Sequence, residues 1–215
     1  MEVKLLTSTA SLKDMEQFAA IAALTCHANT DKEFVAPDVL ERIINWKHES
    51  ILEHITLTYS VKGLSRACLQ ELSRHRHISL SVESTRHTLK KNATIEFVNE
   101  NFPYASGDFG MAYLQWIEAM HFVNFAKGHP DIKNDELKYF LPEFWPTNLV
   151  LTSNVRELRH IVKLRTAPVA LKEFQELARK LFEAVPDEFK YLLEDCVYKA
   201  EDRWDTPKKQ LREGE

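Results

Sequence analysis

The chain is poor in glycine, and this scarcity limits how it can bind phosphate. Only 5 of its 215 residues are glycine, and none of them stands in a GxGxxG or GxxxxGK(S/T) pattern. Those patterns allow backbone N–H groups to surround the phosphates of a nucleotide. Any phosphate that this protein binds must therefore be held by side chains.

Other absences exclude whole classes of protein. The sequence has no uninterrupted apolar run of the roughly 18 residues that a membrane-spanning helix needs, and its N-terminus lacks the features of a signal peptide. A net charge of −4 argues against a general binder of nucleic acids or membrane surfaces. The 3 cysteines are far apart and form no CxxC pair, which favours reduced, buried thiols. We therefore expect a soluble, cytoplasmic protein.

The pattern of apolar residues predicts an α+β, helix-rich single domain with a small mixed or antiparallel sheet. No Gly/Ser/Pro-rich linker divides residues 1–215, and we expect the charged end from about 204 to 215 to be frayed. Residues 54–63 alternate apolar and polar side chains, as in a strand with one buried face. Periodicity predicts further strands at 3–9, 147–154 and near 93–98, an extended loop at 77–85, and helices at 11–27, 37–47, 65–76, 107–127, 131–141, 155–164 and 171–182. In the first helix we expect Met15, Phe18, Ile21 and Leu24 to form the apolar face.

Basic and hydroxyl side chains are concentrated in "ELSRHRHISLSVESTRH", from Glu71 to His87. We expect Arg74, His75 and Arg76 to lie in the last turn of the 65–76 helix, where cations interact favourably with the helix dipole. A rotation of about 100° per residue sends the three side chains in different directions. They must therefore serve more than one partner, and with Ser84 and Arg86 they are typical of a ligand site.

A second group of polar residues lies in "SNVRELRHIVKLR", from Ser153 to Arg165. On a helix Asn154 and Arg165 would share a face about 16 Å apart, while Arg156 and His160 form an i, i+4 pair on another face. One large ligand, two ligands, or a helix shared between subunits could explain this spacing. The alternative is a solvated basic face above a core of Val155, Leu158, Ile161 and Val162.

Two other kinds of chemistry have little support. The residues His48, Glu49, Glu53 and His54 suggest a metal site, but without an HExxH or Cys/His framework we expect no metal. Ser84 has no GxSxG elbow around it, so it is a poor candidate for a nucleophile.

The segment Arg74-His75-Arg76, followed after seven residues by Ser84, matches the RHRx7S signature, and the chain thereby resembles the flavin-dependent thymidylate synthases. The resemblance extends through "HESILEH", "GLSRACLQELSRHR", "STRH", "LKYFLP", "NVRELRHIVKLR" and "FQELARKLFEAVP", in the order found in that family. It implies the fold of the thymidylate synthase complementing proteins and methylation of deoxyuridine monophosphate (dUMP) to thymidine monophosphate. It also implies methylenetetrahydrofolate as carbon donor, FAD as hydride carrier, NADPH as reductant, and a homotetramer with sites shared between subunits.

The same resemblance assigns roles to individual residues. Arg165 would polarise the pyrimidine, His48 would line the flavin pocket and assist the folate chemistry, and Ser84 would act as a catalytic-site ligand rather than a nucleophile. The flavin would contact Ser50, Arg74, His75, Arg76, Asn154, Arg156 and His160. The nucleotide would contact Glu71, Arg74, Ser84, Thr85, Arg86, Lys138 and Arg165.

The sequence departs from the family pattern at three positions. His87 stands where many relatives have Tyr, Lys138 where many have Arg, and Glu71 where some have Gln. A lysine offers a point charge instead of a planar fork, which weakens orientation more than attraction.

Two rival functions stay open, and the second of them belongs to a different class of protein. The first is another flavin- or nucleotide-dependent enzyme that uses the same Arg/His/Ser cage for a different reaction. The second is an RNA-binding module that combines the basic patch with Phe97, Phe102 and Tyr104. The negative net charge and the absence of an RRM or KH pattern disfavour RNA.

Overall fold

Four strands form one antiparallel sheet in the part of the chain that the structure describes, with the order β1-β2-β4-β3. The computed structural model describes residues 1–6, 11–28, 33–101 and 110–199. The strands are β1 (Glu2–Leu6), β2 (Thr56–Ser65), β3 (Ile78–Val82) and β4 (Pro146–Asn154).

Helices account for most of the remaining described residues, which confirms the helix-rich α+β prediction. The α-helices are α1 (Leu12–Thr25), α2 (Ala36–Asn45), α3 (Arg66–Leu72), α4 (Thr85–Asn92), α5 (Ile95–Asn101), α6 (Met111–Gly128), α7 (Asn134–Leu137), α8 (Val155–Arg165) and α9 (Lys172–Glu183). Short 3₁₀ helices cover Glu49–His54, Lys138–Phe140, Asp187–Leu192 and Glu194–Cys196. Within the described ranges, no helix combines the length and apolar character needed to cross a bilayer.

The chain divides into two compact units. The first unit comprises Met1–Lys4 and Tyr59–Leu151, and the second comprises Leu5–Thr58 and Thr152–Glu215. The single domain expected for residues 1–215 stays a prediction, and the tail expected to fray at about 204–215 lies outside the described residues.

Strand β2 has the alternating burial that its sequence predicts. Leu57, Tyr59 and Val61 are at most 3% exposed, whereas Thr56 and Lys62 face solvent. The strand therefore buries one face, as its period of two requires.

The core of the first unit is formed by helices α4, α5 and α6 with the segment that precedes β4. Trp145 lies at its centre, stacked on Phe97 at 5.1 Å between ring centroids and meeting Phe122 edge-on at 5.2 Å. Leu89 of α4 and Val98 of α5 are buried in the same cluster. Aromatic pairs at these distances add to the stability gained from apolar burial.

The strand predicted near 93–98 is wrong, because these residues lead into helix α5. Thr94 explains the difference, since its Oγ1 accepts a hydrogen bond from the Phe97 N–H at 3.1 Å and so caps the new helix. The loop predicted at 77–85 is also wrong in part, since it contains the five-residue strand β3 and the start of α4.

In the second unit α1 packs against α2, and alanines make up much of the buried face of α1. Ala19, Ala20 and Ala23 of α1 are nearly inaccessible, whereas Phe18 is 59% exposed and Ile21 is 46% exposed. The apolar face predicted for α1 is therefore wrong at Phe18 and Ile21. Met15 is buried as predicted, and small side chains on the same face allow helices to approach closely.

The predicted core of helix α8 is confirmed. Val155, Leu158, Ile161 and Val162 are 0% exposed. The cysteine prediction holds for Cys68 and Cys196, which are buried, but Cys26 is exposed at the end of α1. All three are free thiols, and the expected cytoplasmic location stays a prediction.

Candidate functional site

The Arg74-His75-Arg76 segment forms a turn in the first unit rather than the last turn of a helix. Helix α3 ends at Leu72, where the Ser73 hydroxyl donates to the Gln70 carbonyl at 2.8 Å. Such side-chain bonds to the backbone compete with continued helix. The prediction of helical Arg74 to Arg76 is therefore wrong, although His75 is buried and the two arginines are exposed.

Burial separates the histidine from the two arginines of this turn. His75 is only 7% exposed, and its N–H donates to the Leu72 carbonyl at 3.0 Å. Arg74 and Arg76 are exposed, and within the described ranges neither guanidinium pairs with a carboxylate. Two uncompensated guanidiniums next to each other favour an anionic ligand, because each can bind phosphate oxygens through a planar fork.

Ser84 occupies the position before the first residue of helix α4 without capping it. Its backbone is extended and its hydroxyl makes no capping hydrogen bond. The first N–H groups of α4 therefore lack the side-chain partner that a serine in this position usually provides. An anion at this helix end would find Ser84, Thr85 and the positive end of the helix dipole together.

Arg86 is held from two sides by α7. Its Nε donates to Asp135 Oδ1 at 2.8 Å, and its carbonyl accepts from Asn134 Nδ2 at 2.8 Å. These groups line a cavity of about 310 Å³. Other basic residues of the lining are His87, Lys90 and Lys133.

Lys138 and Glu71 lie on other segments of the first unit. Lys138 opens the 3₁₀ helix that follows α7 and packs against α4, and its ammonium lies 5.8 Å from the centre of the Tyr139 ring. Glu71 is half-buried in the last turn of α3, and its carbonyl accepts the Arg74 N–H at 3.3 Å. The fold thus brings Arg86 and Lys138 onto adjoining segments, and Glu71 next to the Arg74 turn.

His48 and Ser50 belong to the second unit and are both exposed. Lys47 before them has a positive φ of 61°, which a non-glycine residue adopts at a cost. The His48 N–H donates to the Ile43 carbonyl at 3.0 Å, and its ring meets Trp46 edge-on at 6.2 Å. A strained turn and a neighbouring indole therefore fix where the imidazole emerges.

Asn154 is the cap of helix α8 instead of a helical residue. It ends β4, and its Oδ1 accepts from the Glu157 N–H at 2.8 Å. The prediction that Asn154 and Arg165 lie on one helix face is therefore wrong. The cap leaves the amide Nδ2 as the group that Asn154 can offer to a ligand.

Arg156 and His160 both lie within helix α8, as their i, i+4 spacing requires, and both are exposed. Arg156 Nη1 donates to Glu53 of the Glu49–His54 segment. This segment carries Ser50, so the second unit brings Ser50, Arg156 and His160 onto two packed elements.

The sequence analysis missed a buried arginine, Arg159, which lies between Arg156 and His160 on α8. Arg159 is 2% exposed, and donates to both oxygens of Asp195 at 2.6 and 2.7 Å and to Glu49 Oε1 at 3.1 Å. Burial opposes its charge, but the bond to Asp195 and the neighbouring acidic groups raise its pKa. The sequence did contain a sign of this role. Arg159 stands four residues after Val155 and three before Val162, on the apolar face of α8, and a charged side chain on a buried face requires partners of opposite charge.

Arg165 ends helix α8 and is half-buried. Its guanidinium carbon lies 4.5 Å from the centre of the Phe174 ring of α9. Stacking on an aromatic face restrains the plane of the guanidinium. Arg165 is thus held at the opposite end of α8 from Asn154.

The aromatic residues invoked for RNA binding do not form an exposed stacking surface as far as the structure describes them. Phe97 is half-buried against Trp145. Phe102 and Tyr104 lie outside the described residues.

Comparison with known proteins identifies the family. The family Thy1, thymidylate synthase complementing protein, matches residues 4–189 of the chain. The flavin-dependent thymidylate synthase of Campylobacter jejuni strain RM1221 is 39% identical over 184 residues, which cover 81% of this chain and 84% of the relative. The flavin-dependent thymidylate synthase of Helicobacter pylori strain J99 is 39% identical over 171 residues, which cover 74% of this chain and 82% of the relative.

A solved structure agrees with this result. The flavin dependent thymidylate synthase ThyX from Helicobacter pylori, complexed with FAD and dUMP, superimposes with a TM-score of 0.80 at 33% identity. The match covers 92% of this chain and 100% of that one. The chain therefore belongs to the thymidylate synthase complementing protein family, the flavin-dependent thymidylate synthases, and the fold expected from its RHRx7S signature is confirmed.

Proposed function

We propose that the protein is a flavin-dependent thymidylate synthase that methylates dUMP to thymidine monophosphate. The observation that carries this proposal is the exposed pair Arg74 and Arg76, which has no carboxylate partner in the described ranges, in a member of this family. Relatives at 39% identity bear the name of this activity, and a similar structure holds FAD and dUMP. Methylenetetrahydrofolate is the proposed carbon donor and NADPH the proposed reductant.

The donor groups of the chain fit FAD. The pyrophosphate of FAD can be bound by backbone N–H groups of a glycine-rich loop or by guanidinium groups of arginines. Because this sequence has no glycine-rich loop, arginines must bind it. Arg74, Arg76 and Arg156 supply guanidiniums, and Asn154 Nδ2 remains available after its oxygen has capped α8. The full set proposed to hold the flavin is Ser50, Arg74, His75, Arg76, Asn154, Arg156 and His160. When bound, FAD supplies the hydride-carrying chemistry.

The groups around the start of α4 fit the phosphate of dUMP. Ser84 has an unused hydroxyl in front of an uncapped helix end, and Arg86 is oriented by Asp135 at 2.8 Å. A phosphate there would gain charge-assisted hydrogen bonds as well as the helix dipole. The full set proposed to bind the nucleotide is Glu71, Arg74, Ser84, Thr85, Arg86, Lys138 and Arg165.

Ser84 acts in this proposal as a ligand. A serine nucleophile needs a positioned base, and no base hydrogen-bonds to its hydroxyl within the part of the chain that is described. Its extended backbone in front of α4 instead suits contact with a phosphate oxygen.

Arg165 polarises the pyrimidine in the proposed reaction. Its guanidinium plane is restrained by the Phe174 ring at 4.5 Å. A preoriented fork at the N3/O4 edge stabilises the negative charge that develops when C6 accepts a hydride, because it need not reorganise at that moment. His48 lies at the flavin and assists the folate chemistry, with Trp46 beside it.

We also propose a homotetramer whose sites are shared between subunits. Arg156 and His160 are exposed on α8, and Arg165 lies at its far end against α9, which suits a helix that serves more than one ligand. Light scattering should give a mass near four chains of 25.0 kDa. A stable monomer that binds FAD tightly would contradict this assembly.

The deciding experiment is tritium release from dUMP labelled at C5, with NADPH and methylenetetrahydrofolate, using protein reconstituted with FAD. Release that requires all three added components supports the proposal. A yellow protein that oxidises NADPH but releases no tritium would instead indicate another flavin-dependent reaction at the same Arg/His/Ser site. Failure to bind FAD would refute both flavin-dependent functions.

A further inference from the structure

Glu83 lies between strand β3 and helix α4, directly before Ser84, and both oxygens of its carboxylate are engaged. Oε1 accepts from Asn92 Nδ2 at 2.8 Å, and Oε2 accepts from Asn148 Nδ2 at 2.7 Å. The Glu83 N–H also donates to the Asn148 carbonyl at 2.8 Å. Three hydrogen bonds therefore fix a residue that has no assigned role.

The two partners of the carboxylate lie on different elements. Asn92 is the last residue of α4, so one bond ties the residue before the helix to the end of the same helix. Asn148 belongs to β4, and its Oδ1 accepts the Gly63 N–H of β2 at 3.1 Å. Glu83 therefore connects α4 directly to β4 and, through Asn148, to β2.

Helix α4 needs such an anchor because its own start is uncapped. Ser84 makes no side-chain cap, so the usual means of fixing a helix N-terminus is absent here. The other hydrogen bonds described for α4 run to α7 and the segment before it, and none of these runs to the sheet: Arg86 bonds Asp135 and Asn134, and Lys90 Nζ donates to the Pro130 carbonyl at 2.6 Å. Glu83 therefore ties the start of α4 to the sheet, and so positions Ser84 and the first N–H groups of the helix relative to β4.

We propose that Glu83 is a positioning residue for the nucleotide phosphate, acting through Ser84, Thr85 and Arg86. The inference rests on the proposed function, since it takes dUMP as the ligand. Charge-assisted hydrogen bonds lose strength steeply when a donor moves out of line. A carboxylate at Glu83 keeps these donors in place before the ligand arrives, so that binding need not order them.

Glu83→Gln is the direct test, because it keeps the size of the side chain but turns one acceptor into an N–H₂ group. That group would face the N–H₂ of Asn92 or Asn148, so one amide must turn over or give up its bond, and both ties lose the negative charge of their acceptor. The cluster lines a cavity of about 440 Å³, and a water can satisfy the displaced amide, so we expect the variant to fold. Glu96→Gln is the matched control, since Glu96 is an exposed carboxylate on α5 in the same unit.

The measurement is the affinity for dUMP compared with that for deoxyuridine, which lacks the phosphate. In Glu83→Gln we expect the Kd for dUMP to rise about tenfold, whereas that for deoxyuridine stays within twofold and FAD content is unchanged. Glu96→Gln should behave as the unaltered protein does. Equal losses for both ligands, or a dUMP affinity within twofold, would overturn the inference. Absence of dUMP binding by the unaltered protein would instead refute the proposed function.

Asn92→Ala provides a second route if Glu83→Gln folds poorly. It removes only the tie between the two ends of α4, and we expect an increase of about threefold in the Kd for dUMP. Glu83→Ala removes both side-chain ties, including the one that Asn92→Ala removes. The double variant of these two alanine changes should therefore bind dUMP no more weakly than Glu83→Ala alone. Fully additive losses would show that Glu83 and Asn92 act independently, and would contradict the proposal.

Discussion

Arg159 and Asp195 form a two-point ion pair, with Nη1 at 2.6 Å from Oδ1 and Nη2 at 2.7 Å from Oδ2. The arginine side chain is 2% exposed and that of the aspartate is 38% exposed. Burial alone would raise the pKa of Asp195, but the hydrogen bond and charge of Arg159 lower it overall. The same guanidinium bonds Glu49 Oε1 at 3.1 Å. Arg159 therefore links Asp195 to the Glu49–His54 segment that carries Ser50.

Removal of Arg159 should destabilise the protein strongly. Arg159→Leu leaves Asp195 and Glu49 without their cation. Breaking a fully buried pair typically costs about 3–5 kcal/mol, and because these two carboxylates are 38% and 32% exposed we expect a loss of about 1–3 kcal/mol. The free energy of unfolding in urea measures the loss. Asp187→Asn, which breaks an exposed pair with Lys190, is the control and should have a much smaller effect. Equal effects of the two changes would show that the Arg159 pair is not structurally important.

The contribution of Asp195 to stability should depend on pH. Its pKa is lowered in the folded protein, so its stabilising effect is complete above the ordinary value of about 3.9 and is lost as the pH falls through the lower folded value. Melting temperatures of the unaltered protein and Asp195→Asn should differ at pH 6 and converge below about pH 4. A difference that stays constant from pH 6 to pH 3 would contradict this assignment.

Ser84→Ala should weaken nucleotide binding without abolishing the reaction. As a ligand, the hydroxyl contributes a hydrogen bond worth about 1–3 kcal/mol when its removal leaves the partner unsatisfied. Titration with dUMP and steady-state turnover measure the two effects separately. Loss of all turnover at unchanged dUMP affinity would establish Ser84 as a nucleophile.

Arg165→Lys should slow the nucleotide half of the reaction. A lysine keeps the charge but loses the planar fork that stacks on Phe174 at 4.5 Å. Loss of one oriented donor typically lowers turnover by about 10²-fold. Stopped-flow absorbance should show normal reduction by NADPH and slow reoxidation by dUMP and methylenetetrahydrofolate. A variant slowed mainly in the NADPH step would place Arg165 at a different ligand.

The sequence predicted correctly those elements in which the large apolar side chains form the buried face. The alternation in β2 and the apolar positions of α8 are examples, because large apolar groups define the buried face in both. Helix α1 did not follow this rule, since Ala19, Ala20 and Ala23 are buried and Phe18 is 59% exposed. Helix α1 packs against α2 and the Glu49–His54 segment, and periodicity within α1 carries no information about its neighbours.

The candidate site shows the same division between local and tertiary information. The RHRx7S spacing predicted the family, because it is read directly from Arg74 to Ser84. Glu83 and Arg159 were missed, since their importance depends on partners such as Asn148 and Asp195, which are 65 and 36 residues away. Hydrogen bonds over such separations follow from the fold and leave no local pattern.

The positions of the three thiols give the folded chain a distinct chemical reactivity. Burial raises the pKa of Cys196 to about 12, so its sulfur stays protonated at neutral pH, and Cys68 is buried as well. Cys26 alone is exposed, at the end of α1. A maleimide dye should therefore attach to one sulfur per native chain and to three after denaturation. The ratio of dye to protein then counts unfolded molecules, and Cys26 offers a single attachment point for a fluorescent reporter.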